Sequence, residues 1–102
     1  MLRDLSNKVA WITGAGTGIG EGAAVALSEA GMRVALSGRR IDKLEEVAGR
    51  CSGEVLIEVL DVADKNAVGD VAEKIIDRFG RLDVLVASAG INVKNRNWHD
   101  VS

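Results

Sequence analysis

Four short runs rich in Val, Ile and Leu punctuate the chain, and the segments between them repeat their apolar residues at helical spacing. "KVAWIT", "RVALS", "EVLIEVL" and "DVLVAS" are bounded by Gly, Asp or Ser and have the length of buried strands. A first helix is predicted from about Ile19 to Ala30, with Ala23, Leu27 and Ala30 on one face. A second, about Asp42 to Cys51, groups Leu44, Val47, Ala48 and Cys51, with Asp42 and Glu45 at capping-box spacing. The third follows Asp64 as N-cap and repeats Val68, Val71, Ala72, Ile75, Ile76 and Phe79 along one side. Gly31 and Gly80 stand where the first and third helices should stop.

Few folds accept that alternation. Buried-type strands joined by helices form a parallel sheet with right-handed crossovers. Glu58 within the third strand and Glu54 at its start suit a sheet edge, whereas the first and fourth strands carry no charge in their centres. The expected α/β architecture is the N-terminal half of a doubly wound, Rossmann-type parallel sheet with strand order 3-2-1-4. The 102 residues allow at most one small domain.

Composition narrows the partners. A net charge of −2 gives no attraction for nucleic acid or an anionic membrane. The single cysteine, Cys51, excludes an internal disulfide, has no metal-ligand spacing around it and falls on an apolar helix face. It is read as a core residue of a protein in a reducing compartment. No apolar run approaches the ~18 residues of a membrane span, and "MLRDLSNKVA" lacks the apolar core of a secretory signal. A cytoplasmic protein is expected.

In a parallel sheet every strand ends on the same side, so "TGAGTGIG", "SGRR", "LDVAD" and "ASAG" meet at one rim. Ligands of such sheets bind there, where strand order reverses, here between strands one and four. Gly14 lets the chain turn out of the first strand. Gly18 removes a side chain where a diphosphate must approach the backbone, and Gly20 lets the helix sit close to the sheet. The helix start then offers N–H groups and partial positive charge to phosphate, with Thr13 and Thr17 as hydroxyl donors nearby. Gly14, Thr17, Gly18, Ile19 and Gly20 are therefore read as the diphosphate site. A glycine turn used only for tight packing is the competing reading, and it leaves Gly16 and Gly18 without a purpose.

About twenty residues further on, an NAD site would place Asp or Glu on the ribose. This chain has Gly38 followed by Arg39 and Arg40. A guanidinium fork matches a phosphate, so Arg39 is read as the 2′-phosphate partner of NADP, with NAD the alternative cofactor. Arg40 reads equally well as a solvated cation. Asp61 and Val62 end the third strand where an adenine edge could lie, the carboxylate accepting from the amine and the next amide reaching a ring nitrogen. A plain turn aspartate competes with that reading. Ala89 and Gly90 leave room on the ribose side.

Together these segments resemble the N-terminal half of the short-chain dehydrogenase/reductase family, over essentially the whole chain. Thr13-Gly14-x-x-x-Gly18-x-Gly20, the Asp61-Val62 pair and "LDVLVASAG" stand in that family's order and separations. The resemblance implies an oxidoreductase that moves hydride between NADP(H) and a carbonyl or alcohol carbon of a small-molecule substrate, in a homo-oligomer. It also makes a basic residue at Arg39 a mark of NADP preference. Ser88 departs from the family's Asn at that position. The family's catalytic Tyr, Lys, Ser and Asn lie beyond the fourth strand, and this sequence has no tyrosine. Lys94 and His99 are read as surface residues, so no catalytic residue is assigned. Residues 1–102 are expected to be a dinucleotide-binding domain truncated before its catalytic half, with the apolar fourth strand an exposed edge. The missing half would belong to a longer chain or come from a partner. The alternative class is a non-catalytic short form that binds nucleotide or pairs with full-length relatives through that edge. A flavin module is disfavoured by the spacing after Thr13.

Overall fold

The computed structural model of the protein describes residues 6–87. In chain order the elements are β1 (Val9–Thr13), α1 (Gly18–Glu29), β2 (Arg33–Gly38), α2 (Ile41–Ala48), β3 (Val55–Val59), α3 (Lys65–Phe79) and β4 (Val84–Ala87). The four strands form one parallel sheet in the order β3-β2-β1-β4, the order expected from the position of the charges. Glu58 on the edge strand β3 is half-buried, and Lys74 of α3 donates to its carboxylate at 3.4 Å.

Alternation along the strands makes two cores. Ala10, Ile12, Val34 and Leu36 face α1 and α2, packing with Ala24, Leu44 and Val47. Val9, Trp11 and Ala35 face α3, packing with Val71, Ile75 and Phe79. Because β1 and β2 are covered on both sides, neither has room for a polar face, and their sequences are apolar throughout their middles. Each fully buried Leu or Ile contributes about 1.5–3 kcal/mol relative to exposure. The one polar pair in the middle of the sheet is satisfied: the Trp11 indole N–H donates to Ser37 Oγ at 2.9 Å.

The helices differ from expectation in instructive ways. In α1 the buried row is Gly20, Ala24 and Ser28, not Ala23, Leu27 and Ala30; Leu27 is only half-buried and Ala30 is exposed. The helix rests on its smallest residues and so lies close to the sheet. The Ser28 hydroxyl donates to the Val25 carbonyl at 2.9 Å and accepts from the Ser52 amide at 3.0 Å. In α2, Arg40 occupies the N-cap without a side-chain cap bond, and the carboxylate of Asp42 accepts from the Arg40 guanidinium at 2.9 Å instead of capping. The helix ends at Ala48, and Cys51 lies beyond it, half-buried against the first core.

The third helix starts as expected, with the Asp64 carboxylate accepting from the Ala67 amide at 3.1 Å. It stops at Gly80, whose φ of 86° is a left-handed conformation that favours glycine. Ile76 sits at the margin of the buried stripe and is half exposed. Among the described residues β4 pairs only with β1, and Val84 and Leu85 are exposed. No helix of the described residues is long and apolar enough to cross a membrane.

Candidate functional site

The carboxyl ends of β1, β2 and β3 surround a cavity of about 300 Å³. Gly14, Gly16 and Thr17 line it from the β1–α1 turn, Gly38, Arg39 and Arg40 from the end of β2, and Asp61 and Val62 from the segment after β3. Lys43 and Leu44, in the first turn of α2, and the buried Leu60 complete the wall. Five of the residues singled out from the sequence, Gly14, Thr17, Arg39, Asp61 and Val62, thus share one cavity, and Gly18, Ile19 and Gly20 follow directly at the start of α1. Ala89 and Gly90 lie outside the described residues, so the rim after β4 is left to expectation.

The turn is built by its own backbone. Gly14 takes φ 71°, a left-handed angle costly for any residue with a Cβ, and the Ala15 amide donates to the Ser37 carbonyl at 3.1 Å. Thr17 closes the turn: its amide donates to the Gly14 carbonyl at 3.0 Å and its hydroxyl to the same oxygen at 2.8 Å. The hydroxyl also accepts from the Gly20 amide at 3.3 Å, which makes Thr17 the N-cap of α1. Two expected donors are therefore committed internally, the Thr17 hydroxyl proton and the Gly20 amide. Gly20 itself is buried and begins the small-residue row, as its packing role requires.

Gly18 and Ile19 are different. Their amides have no acceptor among the described residues. A Cβ built on Gly18 meets nothing within 4 Å, and Gly18 does not take a positive φ. Neither packing nor backbone angle calls for glycine there, so the bare backbone and the space above it fit a group that approaches from outside. That is a cradle for an anion at a helix start. Glu21, the nearest carboxylate in sequence, is paired with Arg50 beyond α2.

Charge around the cavity is equally uneven. Arg40 is paired with Asp42 at 2.9 Å, and that bond holds the Asp42 carboxyl below the ordinary aspartate range. Arg39 is exposed and has no carboxylate partner among the described residues. Asp61 Oδ1 accepts from the Ala63 amide at 3.0 Å, and the Asp61 carbonyl accepts from the Asp64 amide at 2.9 Å. The aspartate thus shapes its turn, as the competing reading had it, while still lining the cavity. The Val62 amide has no acceptor among the described residues.

Three wall residues have roles that sequence reasoning did not assign. A Cβ on Gly38 would meet Leu44 Cδ2 at 3.3 Å, so that glycine serves the fit of α2 against the rim. A Cβ on Gly16 would lie 3.0 Å from Lys43 Cβ, so Gly16 makes room for the lysine stem. Lys43 itself looked like any helical surface lysine; its only signal was its place in the first turn after Arg39 and Arg40.

A family model described as short chain dehydrogenase matches residues 8–102. Human dehydrogenase/reductase SDR family member 7 is 34% identical over 99 residues, covering 90% of this chain and 29% of that protein. The crystal structure of a short chain dehydrogenase from Bacillus anthracis superposes with a TM-score of 0.80 at 33% identity, over 85% of this chain and 36% of the other. A metagenomic short-chain oxidoreductase in complex with NADP gives 0.72 at 34% identity, over 81% of this chain and 39% of the other. An NAD+-bound xylitol dehydrogenase gives 0.74 at 31% identity, over 81% and 33%. In every case the chain spans well under two thirds of the protein it matches.

Proposed function

The chain belongs to the short-chain dehydrogenase family, and on that premise we propose that it is the NADP-binding part of an oxidoreductase acting on a small-molecule carbonyl or alcohol. The observation that carries the cofactor choice is Arg39, a cation without a carboxylate partner among the described residues, in the same cavity as Gly14, Asp61 and Val62. An acidic residue at the end of β2 would hold the two ribose hydroxyls of NAD and repel a phosphate; a guanidinium does the reverse.

On this reading the diphosphate lies on the amides of Gly18 and Ile19, with Gly14 and Thr17 forming the turn and Gly20 seating the helix. Arg39 takes the 2′-phosphate. Asp61 has one oxygen in its turn and a second available for the adenine amine, with the Val62 amide beside it. Ala89 and Gly90 are assigned to the ribose side. When bound, the nicotinamide supplies or accepts hydride. This chain's residues hold and orient the adenosine half of the molecule. The complete protein is read as a cytoplasmic homo-oligomer, which sedimentation of the full-length protein and cell fractionation would test.

Titration of the full chain with NADPH and NADH, followed by cofactor fluorescence, tests the assignment. Arg39→Asp is expected to weaken NADPH by roughly tenfold or more, the worth of a charge-assisted phosphate contact, while NADH is held as well as before. An unchanged ratio of the two affinities removes Arg39 from the phosphate site.

A further inference from the structure

Lys43 stands at a position where a cation is costly. It is the third residue of α2, in the first turn, where the helix dipole favours acidic side chains and disfavours basic ones. The residue before the helix is Arg40, which makes no side-chain cap bond in a position that favours Ser, Thr, Asp or Asn. The β2–α2 junction therefore carries Arg39, Arg40 and Lys43 around a helix start, with Asp42 as the single carboxylate of that turn. Asp42 is engaged by Arg40. No ion pair is formed by Arg39 or Lys43 with a carboxylate among the described residues, and both line the cavity.

The opposite wall is shaped to suit. Gly16 does not take a positive φ, so its backbone would admit another residue. What crowds one is the lysine: a Cβ on Gly16 would lie 3.0 Å from Lys43 Cβ and 3.8 Å from its Cγ, so the stem would have to give by a few tenths of an ångström. The glycine turn is thus hollowed where the stem of Lys43 lies against it.

We infer that Lys43 is a second cation of the ribose-phosphate grip, a specificity-determining residue that acts with Arg39 and is seated by Gly16. The inference rests on the dinucleotide reading above. Its chemistry differs from that of Arg39. A guanidinium gives a flat two-pronged contact, whereas the ammonium is a compact charge on a flexible stem that follows the phosphate as a point charge. The two flank one anion from different elements, the end of β2 and the first turn of α2.

The test is equilibrium titration of the full chain and its variants with NADPH and NADH, at low and at high salt, with circular dichroism to verify folding. Lys43→Met is expected to weaken NADPH by roughly tenfold and to reduce the salt dependence of its binding, with NADH little changed. Lys43→Arg should restore most of the NADPH affinity. Gly16→Ala, which must displace the lysine stem, should weaken NADPH by a smaller factor and again spare NADH. An unchanged NADPH-to-NADH ratio in Lys43→Met, or an equal loss for both, overturns the inference and leaves the dinucleotide reading in place. Wild-type protein that binds the two dinucleotides equally overturns it together with the choice of NADP, and leaves dinucleotide binding itself in place. Wild-type protein that binds neither overturns both.

Discussion

At the amino end of the sheet, Asp83 accepts two hydrogen bonds from the Arg81 guanidinium at 2.9 Å and a third from the Val9 amide at 2.8 Å, and its own amide donates to the Val9 carbonyl. Arg33, at the start of β2 on the same end, stands 5.1 Å above the Phe79 ring and donates to the Asn7 carbonyl at 3.4 Å. At the carboxyl end of the same strands, among the described residues, the amides of Gly18, Ile19 and Val62 have no acceptor and Arg39 and Lys43 have no carboxylate partner. A chain selected only for stability would close both ends, since an internal bond gains about 1 kcal/mol. The open end is where a ligand supplies the missing partners, and the closed end is where the fold is held.

The contrast breaks most visibly at Gly18. A carboxylate built there would enter space that the protein leaves free, and it would meet the unpaired amides of the helix start. Gly18→Asp is expected to close the end internally: dinucleotide affinity falls by about a hundredfold or more through like-charge repulsion. Stability should rise by about 0.3–1 kcal/mol from the acidic first turn. Fluorescence titration and a urea melt read the two effects with opposite signs. Retained binding would show that the diphosphate does not lie on these amides.

A comparison within the open end sharpens the point. Helix α3 starts at the same rim as α1, but its cap is the acidic side chain of Asp64, which accepts from the Ala67 amide. The cap of α1 is the neutral Thr17 hydroxyl. Asp64→Ala should cost about 1 kcal/mol of stability and leave the NADPH-to-NADH ratio untouched. A change in that ratio would mean that the two helix starts share a ligand.

The strands and their order were legible because each strand is a short apolar run and because Glu58 marks an edge. The glycine turn was legible as a site because Gly18 sits in a run that no packing pattern explains. Other features depended on neighbours distant in sequence. Gly20, Ala24 and Ser28 form the contact face of α1 because close approach rewards small residues, and a hydrophobic pattern gives them no weight. Asp42 looked like a cap until the Arg40 guanidinium claimed it. The room left at position 16 is taken by the stem of Lys43, which lies against the turn from α2.

The smallest expected effect lies at the closed end and depends on pH. The Arg81 guanidinium, and after it the Val9 amide, hold the Asp83 carboxyl below its ordinary value, which is about 3.9 for an unfolded aspartate. A group that gives up its proton more readily when folded favours the fold while it is ionised. Its contribution is fully present above the unfolded value and fades as pH falls through the lower, folded one. Asp83→Asn keeps the size of the side chain but loses the charge that Arg81 neutralises. Urea midpoints for the variant should lie below wild type at neutral pH, and the two should converge as the solution is acidified below the ordinary aspartate value. The dinucleotide titrations at neutral pH should not distinguish them, because the bonds given for Asp83 among the described residues run to Arg81 and to Val9 at the start of β1, at the end of the sheet away from the cavity. A gap in urea midpoint that stayed constant into acid would mean that Asp83 holds β4 to β1 by shape alone, and the ion pair with Arg81 would drop out of the account of what closes that end.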